Sequence, residues 1–160
     1  NTGISPASVG AYDVDYSAMA NGVLVVKSTA GGSSINGASN GLDIAVNADG
    51  TALFTASGSP YRCSWVDPVT LGFVGSLPGG NPYPNNVEVT PDGRVLCGIS
   101  SGYLTDGLWL HAPDGVLLKS FNLQGHGYLL DRQLVVTPDG TMAVGLTTLP
   151  RMMFAPLGAP

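Results

Sequence analysis

Charge is the scarcest commodity in this chain. Only 11% of its 160 residues are Asp, Glu, Lys or Arg, against roughly 25% in an ordinary soluble domain. Just six are Lys or Arg, and the formal net charge is −5. A nucleic-acid surface needs clustered basic residues to neutralise phosphates, so that class is excluded. Long apolar runs are missing too. Val23–Val26 and Val116–Leu118 fall far short of the ~20 residues a membrane-spanning helix needs, so no membrane span is expected. No segment sustains a 3.6-residue apolar period, and no helix is expected. The opening residues carry no basic stretch followed by an apolar one, so a secretory leader is expected to be absent from this sequence. There is no Cys-x-x-Cys pair, Gly-x-Ser-x-Gly elbow, phosphate-binding loop or Asn-x-Ser/Thr sequon, and the sequence therefore names no reaction of its own.

Turn formers are abundant instead, with 23 Gly and 12 Pro, which calls for short strands and frequent reversals. At 44% hydrophobic residues the chain has enough apolar side chains for a core, and disorder is not expected. A surface of Ser, Thr, Asn and Gly with few lysines fits an extracellular or cell-surface protein. The same shortage of charge has a second consequence. Isolated domains keep many surface charges for solubility, so a chain this poor in them is expected to bury part of its outside against neighbours.

Three segments align without gaps around an Asp-Gly turn: Ile44-Ala-Val-Asn-Ala-Asp-Gly-Thr51, Val87-Glu-Val-Thr-Pro-Asp-Gly-Arg94 and Leu134-Val-Val-Thr-Pro-Asp-Gly-Thr141. Their aspartates, Asp49, Asp92 and Asp139, stand 92 − 49 = 43 and 139 − 92 = 47 residues apart. Repeats of roughly 40–50 residues are the period of four-stranded propeller blades. Apolar residues alternate before each turn and cluster after it. Asp-Gly between two such runs is a strong hairpin signal, because Gly accepts positive φ and Asp bonds the turn backbone. These runs are strands A and B of each blade. Tyr61–Asp67 with Gly72–Leu77, and Gly107–Ala112 with Val116–Leu123, supply strands C and D. Ala11–Tyr16, the Asn21-Gly22 turn and Val23–Ser28 repeat that C-D pattern ahead of the first A strand. A last short run follows at Arg151–Ala155.

The fold expected is all-β: about three propeller blades of four antiparallel strands, ordered C-D, A-B-C-D, A-B-C-D, A-B. They form a single partial domain, with a half blade at 11–32, blades at 42–78 and 86–124, and a partial blade at 133–155. Three blades do not close a ring. Another copy, or sequence missing from this chain, is expected to complete it. Two copies would give about six blades through a shared blade, and a larger assembly follows the same logic.

One stretch carries a family resemblance. Trp65-Val-Asp-Pro-Val-Thr-Leu-Gly-Phe-Val-Gly-Ser-Leu-Pro-Gly-Gly-Asn-Pro-Tyr83, continuing to Val87-Glu-Val-Thr-Pro-Asp-Gly-Arg-Val-Leu96, resembles the YVTN class of β-propeller repeat. Asp67, Thr70, Gly79, Pro82 and Pro91-Asp92-Gly93 meet the family pattern, whereas Ala48 and Pro113-Asp114-Gly115 depart from it. YVTN-like propellers occur in surface-layer and other extracellular proteins, so the resemblance implies a structural or interaction role.

Individual residues carry weaker signals. The turn aspartates share one hairpin position and read as turn structure. His111 lies beside Trp109 in a strand and reads as packed, while His126 sits in the Gly-rich loop Gly125–Tyr128, where ligand contact is open to it. Asp13 and Asp15 face one side of a strand without a third donor. Asp43, Asn86 and Gln133 each stand six residues before a turn Asp. The A strand is innermost in a blade, so they are expected at the channel mouth, where rim tyrosines Tyr83 and Tyr128 extend the candidate ligand-binding set. The stretch Asn85–Gly93 also looks like the Asn-containing strand of gluconolactonase-type propellers. That likeness implies a divalent cation such as calcium, with Asn85, Asp43 and Glu88 as the oxygen donors. Against it stands the reading that these amides cap the start of strand A. Cys63 and Cys97 fall in adjacent blades, where a disulfide and two buried thiols are both open. The function expected is a secreted or cell-surface structural and interaction module that self-associates, with no catalytic residues and no cofactor. The alternatives are a metal-dependent lactonase-type hydrolase and a carbohydrate-binding propeller that stacks sugars on Tyr83, Tyr128 or Trp65.

Overall fold

The computed structural model describes residues 8–15, 25–34, 41–58, 61–79, 83–99, 106–149 and 151–159. All regular structure among them is β, in four antiparallel sheets whose strands follow chain order. The first sheet pairs β1 (Ser8–Asp15) with β2 (Val25–Ser34). The second runs β3 (Gly41–Val46), β4 (Leu53–Ser57), β5 (Arg62–Val66), β6 (Phe73–Ser76). The third runs β7 (Pro84–Val89), β8 (Val95–Ile99), β9 (Asp106–His111), β10 (Leu117–Asn122). The fourth has β11 (Leu129–Val136), β12 (Met142–Thr147) and β13 (Met152–Pro156). The run at the end of the chain is thus a third strand of the last blade, paired with β12 along its whole length. The Asn21-Gly22 turn, Gly80 and Pro82 lie outside the described residues, as do the side chains of Asp13 and Asp15.

The Asp-Gly turns form as their chemistry requires. Gly50, Gly93 and Gly140 take φ of 74°, 85° and 71°, a region that costs a residue with a Cβ but not glycine. Each glycine N–H bonds back to the carbonyl three residues earlier, at Asn47, Thr90 and Thr137. The aspartate side chains close the loop: Asp49 Oδ1 and Asp139 Oδ1 each accept from the threonine N–H two residues on, both at 3.1 Å.

Alternation along the strands then builds two apolar layers. In β8, Val95 and Cys97 point to the second sheet and join Phe54, Ala56, Cys63, Leu77 and Val87. Leu96, from the opposite face, joins Leu108, Leu110, Leu123, Leu129, Leu134, Ala143 and Ala155 toward the fourth sheet. The middle blade is therefore buried on both faces, and each fully buried Leu or Val contributes about 1.5–3 kcal/mol. The inner strand β7 packs between β3 and β11, which sets the three A strands side by side at the centre. The blades outside them are unequal in cover. Ile44 and Val46, on the β3 face turned away from β7, are exposed, and so are Val135, Leu146, Met152 and Phe154 on the far face of the last sheet. The series of blades does not close on itself.

Candidate functional site

All three inner strands break register at the same place. Bulges fall between Gly41 and Asp43, between Pro84 and Asn86, and between Leu129 and Leu134. A bulge redirects a side chain out of the pleat. Here it turns Asp43, Asn86 and the β11 loop toward one another. Asp43 Oδ2 accepts from Val87 N on the next blade at 3.0 Å, and its Oδ1 accepts from Ile44 N at 3.0 Å. Asn86 Oδ1 accepts from Gln133 N, again one blade on, at 2.9 Å. Asn86 Nδ2 donates to Leu130 O at 3.1 Å and to Asn85 Oδ1 at 2.6 Å. Asn85 Nδ2 donates to Leu129 O at 2.8 Å and to Asp131 Oδ1 at 2.9 Å.

Asn85 and Asn86 are fully buried, and their amides tie the second full blade to the third. Asn85 donates from Nδ2 and accepts on Oδ1 inside the protein, so neither end points to a channel ligand. Glu88 sits in the same inner strand, half-buried. Burial first, and the nearby Asp43 charge second, push its carboxyl up to about 7. Asp43 is also raised by burial, although the Val87 and Ile44 N–H groups and the Arg132 charge pull it back. Asp43 and Glu88 are thus brought together, Asn85 is bonded to Asn86, and Gln133 joins Asn86 through its backbone N–H alone. Among the described residues no group of three or more His, Cys, Asp or Glu is arranged to hold a metal.

The remaining candidates sit elsewhere. Tyr83, at φ 62°, stacks at a tilt on Tyr61 with ring centroids 4.2 Å apart. Tyr128 is exposed, with its N–H on Thr148 Oγ1 at 3.1 Å. His126 Nδ1 lies 3.4 Å from an Arg151 guanidinium nitrogen. Both line a cleft of about 260 Å³ with Phe121, Met152 and Phe154. His111 is buried, with ring nitrogens 2.7 Å from Pro78 O and 3.3 Å from Val95 O, so it is a packed residue. Cys63 and Cys97 form a disulfide across the blade boundary, with Cα atoms 6.4 Å apart. A second cleft, about 530 Å³, opens on the side of the Asp-Gly turns between Trp65, Pro91 and Pro113, with Asn47, Asp49 and Thr51 on its wall.

Sequence reasoning missed Asp131 and Arg132. Both belong to the widened β11 bulge, where the four residues 130–133 of β11 stand against the single residue Leu146 of β12. Arg132 takes φ 57° there. The longer second interval between turn aspartates, 47 residues rather than 43, was the available signal.

No protein-family model matches the chain, and no curated protein does either. Solved structures do. Hydrazine synthase of Kuenenia stuttgartiensis is 17% identical at a TM-score of 0.65, covering 96% of this chain and 44% of its own. The dihydro-heme d1 dehydrogenase NirN, in complex with DHE, is 17% identical at 0.61, covering 98% and 34%. A functionally unknown protein from Desulfotomaculum acetoxidans is 18% identical at 0.66, covering 98% and 47%. The chain spans less than half the length of each. Hydrazine synthase and NirN are β-propeller proteins, and at this identity the likeness is one of fold alone: this chain is a run of β-propeller blades with an open ring.

Proposed function

We propose that this chain is a structural and interaction module built from YVTN-type blades, secreted or held at a cell surface, which completes its ring by associating with a second copy. The observation that carries the reading is the pair of exposed apolar blade faces. Phe154 is 60% and Met152 58% exposed on the last sheet, and Ile44 is 54% exposed on the first full blade. Soluble monomers seldom leave large contiguous apolar patches open. Inside the chain the same kinds of face are covered by the neighbouring blade. One end of a copy therefore suits the other end of its partner, a head-to-tail contact that closes if the rotation permits. Because β13 already fills the place beside β12, the leading hairpin of a second copy meets this sheet at the open edge of β13. The Cys63–Cys97 disulfide supports an oxidising, extracytoplasmic setting.

Sedimentation at low micromolar concentration tests the reading. Twice the chain mass is expected. A monomer that melts cooperatively would overturn it.

A second reading, glycan binding, is favoured by the cleft at Trp65. A lining of Trp65 and two prolines with amide, hydroxyl and carboxylate side chains suits a sugar ring. Tryptophan fluorescence titrated with a panel of glycans is expected to shift, and a flat response across the panel would remove it. The lactonase reading has no such support, since Asn85, its central residue, is engaged on both sides by protein.

A further inference from the structure

The axial hydrogen bonds form a series with one member left over. Asp43 accepts from a backbone N–H of the next inner strand, at Val87. Asn86, its counterpart one blade on, accepts from the inner strand after that, at Gln133. Gln133 is the third counterpart. Its side chain is exposed, and no hydrogen bond to it is found among the described residues. The opposite end of the series shows the complementary feature. Among the described residues, Ile44 N–H takes no acceptor from another inner strand and closes onto the carboxylate of its own neighbour Asp43 at 3.0 Å.

We propose that Gln133 is the residue that sets the register of the contact between two copies: its side-chain carbonyl accepts a backbone N–H from the start of β3, at Asp43 or Ile44, of the second copy. The inference rests on the self-association reading above and names its axial contact. The occupant is a second copy because the joint is one the chain already makes twice, and the apolar residues flanking it agree. Val135, two residues on from Gln133, stands exposed with Leu146 and Met152 on the open face of the last sheet, and Ile44 and Val46 stand exposed on β3. Both internal joints have this composition, a polar tie at the axis with apolar packing outside it. An acceptor is what the position needs, and the series shows that carboxylate and amide both serve.

The test compares dimer dissociation constants of the full chain by sedimentation equilibrium. Gln133→Met keeps the side-chain length and removes the acceptor. It is expected to weaken association about tenfold, the effect of one such bond, while leaving the urea midpoint of the dissociated chain unchanged. Gln133→Glu keeps an acceptor, as Asp43 does, and is expected to stay within about threefold of the parent. A parent dimer whose affinity ignores Gln133→Met would overturn this inference and leave the self-association reading standing. A monomeric parent would overturn both. Phe154→Asp, on the same face away from the axis, is expected to break the dimer whichever way the Gln133 variants behave, and its failure to do so would overturn the use of this face.

Discussion

Leu129 closes over Gly98 so tightly that a Cβ at Gly98 would stand 2.5 Å from Leu129 Cδ1. Its other methyl carbon fills the same role at Gly145, 2.7 Å from a Cβ placed there. One side chain at the start of β11 is thus wedged over the strands β8 and β12, fully buried. Both glycines are present to give it room rather than for backbone freedom. Gly98→Ala is expected to lower stability by about 1–3 kcal/mol through overpacking. Gly75→Ala, where an added Cβ meets nothing within 4 Å, is the control, expected within about 0.5 kcal/mol of the parent. Urea unfolding of the two variants checks the contrast, and equal midpoints would mean that Leu129 moves aside freely.

That wedge marks the boundary of what the sequence could disclose. The hairpins at Asp49, Asp92 and Asp139 were legible because their chemistry is local: an aspartate oxygen and a left-handed glycine act within four residues. Blade order followed from the spacing of those turns. The joints between blades were not legible, since they depend on which residues meet across 34 to 47 positions of chain. Cys63 and Cys97 could be assigned to adjacent blades but not to bonding distance. Asn85 stayed open between a channel ligand and a strand cap because only its type and strand were known, while the Leu129 carbonyl that accepts its amide N–H lies in another blade. Asp131 and Arg132 were hidden by a bulge that appears in sequence only as a longer interval.

Arg94 forms a further inter-blade tie, on the side of the Asp-Gly turns. It is buried, with Nε 2.6 Å from Asp92 Oδ2, one terminal nitrogen 3.1 Å from Leu157 O and the other 3.1 Å from Gly140 O. Burial alone would push the Asp92 carboxyl up, but Thr90 and Arg94 hold it below its ordinary value. Arg94→Ala leaves Asp92 with Thr90 as its remaining side-chain partner and strips the guanidinium from the Leu157 and Gly140 carbonyls; with Asp92 open to solvent, the expected cost is about 1.5–3 kcal/mol. Arg94→Lys cannot reproduce a planar fork toward three acceptors and is expected to recover less than half of the loss. Thermal unfolding at neutral pH distinguishes them, and a fully stable lysine variant would show that charge alone suffices.

The Cys63–Cys97 bridge closes 34 residues of chain between two blades that also share an apolar layer. Constraining the unfolded chain in this way stabilises by about 2–4 kcal/mol. Reduction under mild denaturant is expected to lower the melting temperature by several degrees. Cys63→Ala with Cys97→Ala should reproduce the reduced value without further loss. An unchanged melt after complete reduction, verified by thiol titration, would show that packing alone holds the joint.

Glu88 makes stability fall on the alkaline side. Its carboxyl is raised from 4.5 to about 7, by burial and then by Asp43, so the folded chain holds a proton that the unfolded chain releases near its lower value. The stability tied to that proton is fully present below about pH 4.5 and is lost as pH rises through about 7, as linkage requires. Asp43, raised in the same direction, adds to the same limb, with the Arg132 charge opposing its rise. Asp49, Asp67 and Asp139 act oppositely. Hydrogen bonds hold them below 3.8, so their contribution stands above that value and disappears as acid protonates them. Maximum stability is therefore expected in mildly acidic solution. Glu88→Gln keeps the shape and cannot ionise, so it should match the parent near pH 4 and exceed it at pH 8. Because the site is partly open to solvent, the gain is expected to be only about 1–2 kcal/mol. Urea midpoints for parent and variant across this range decide the matter, and two curves that run parallel from pH 4 to pH 8 would remove Glu88 as the source of the alkaline loss.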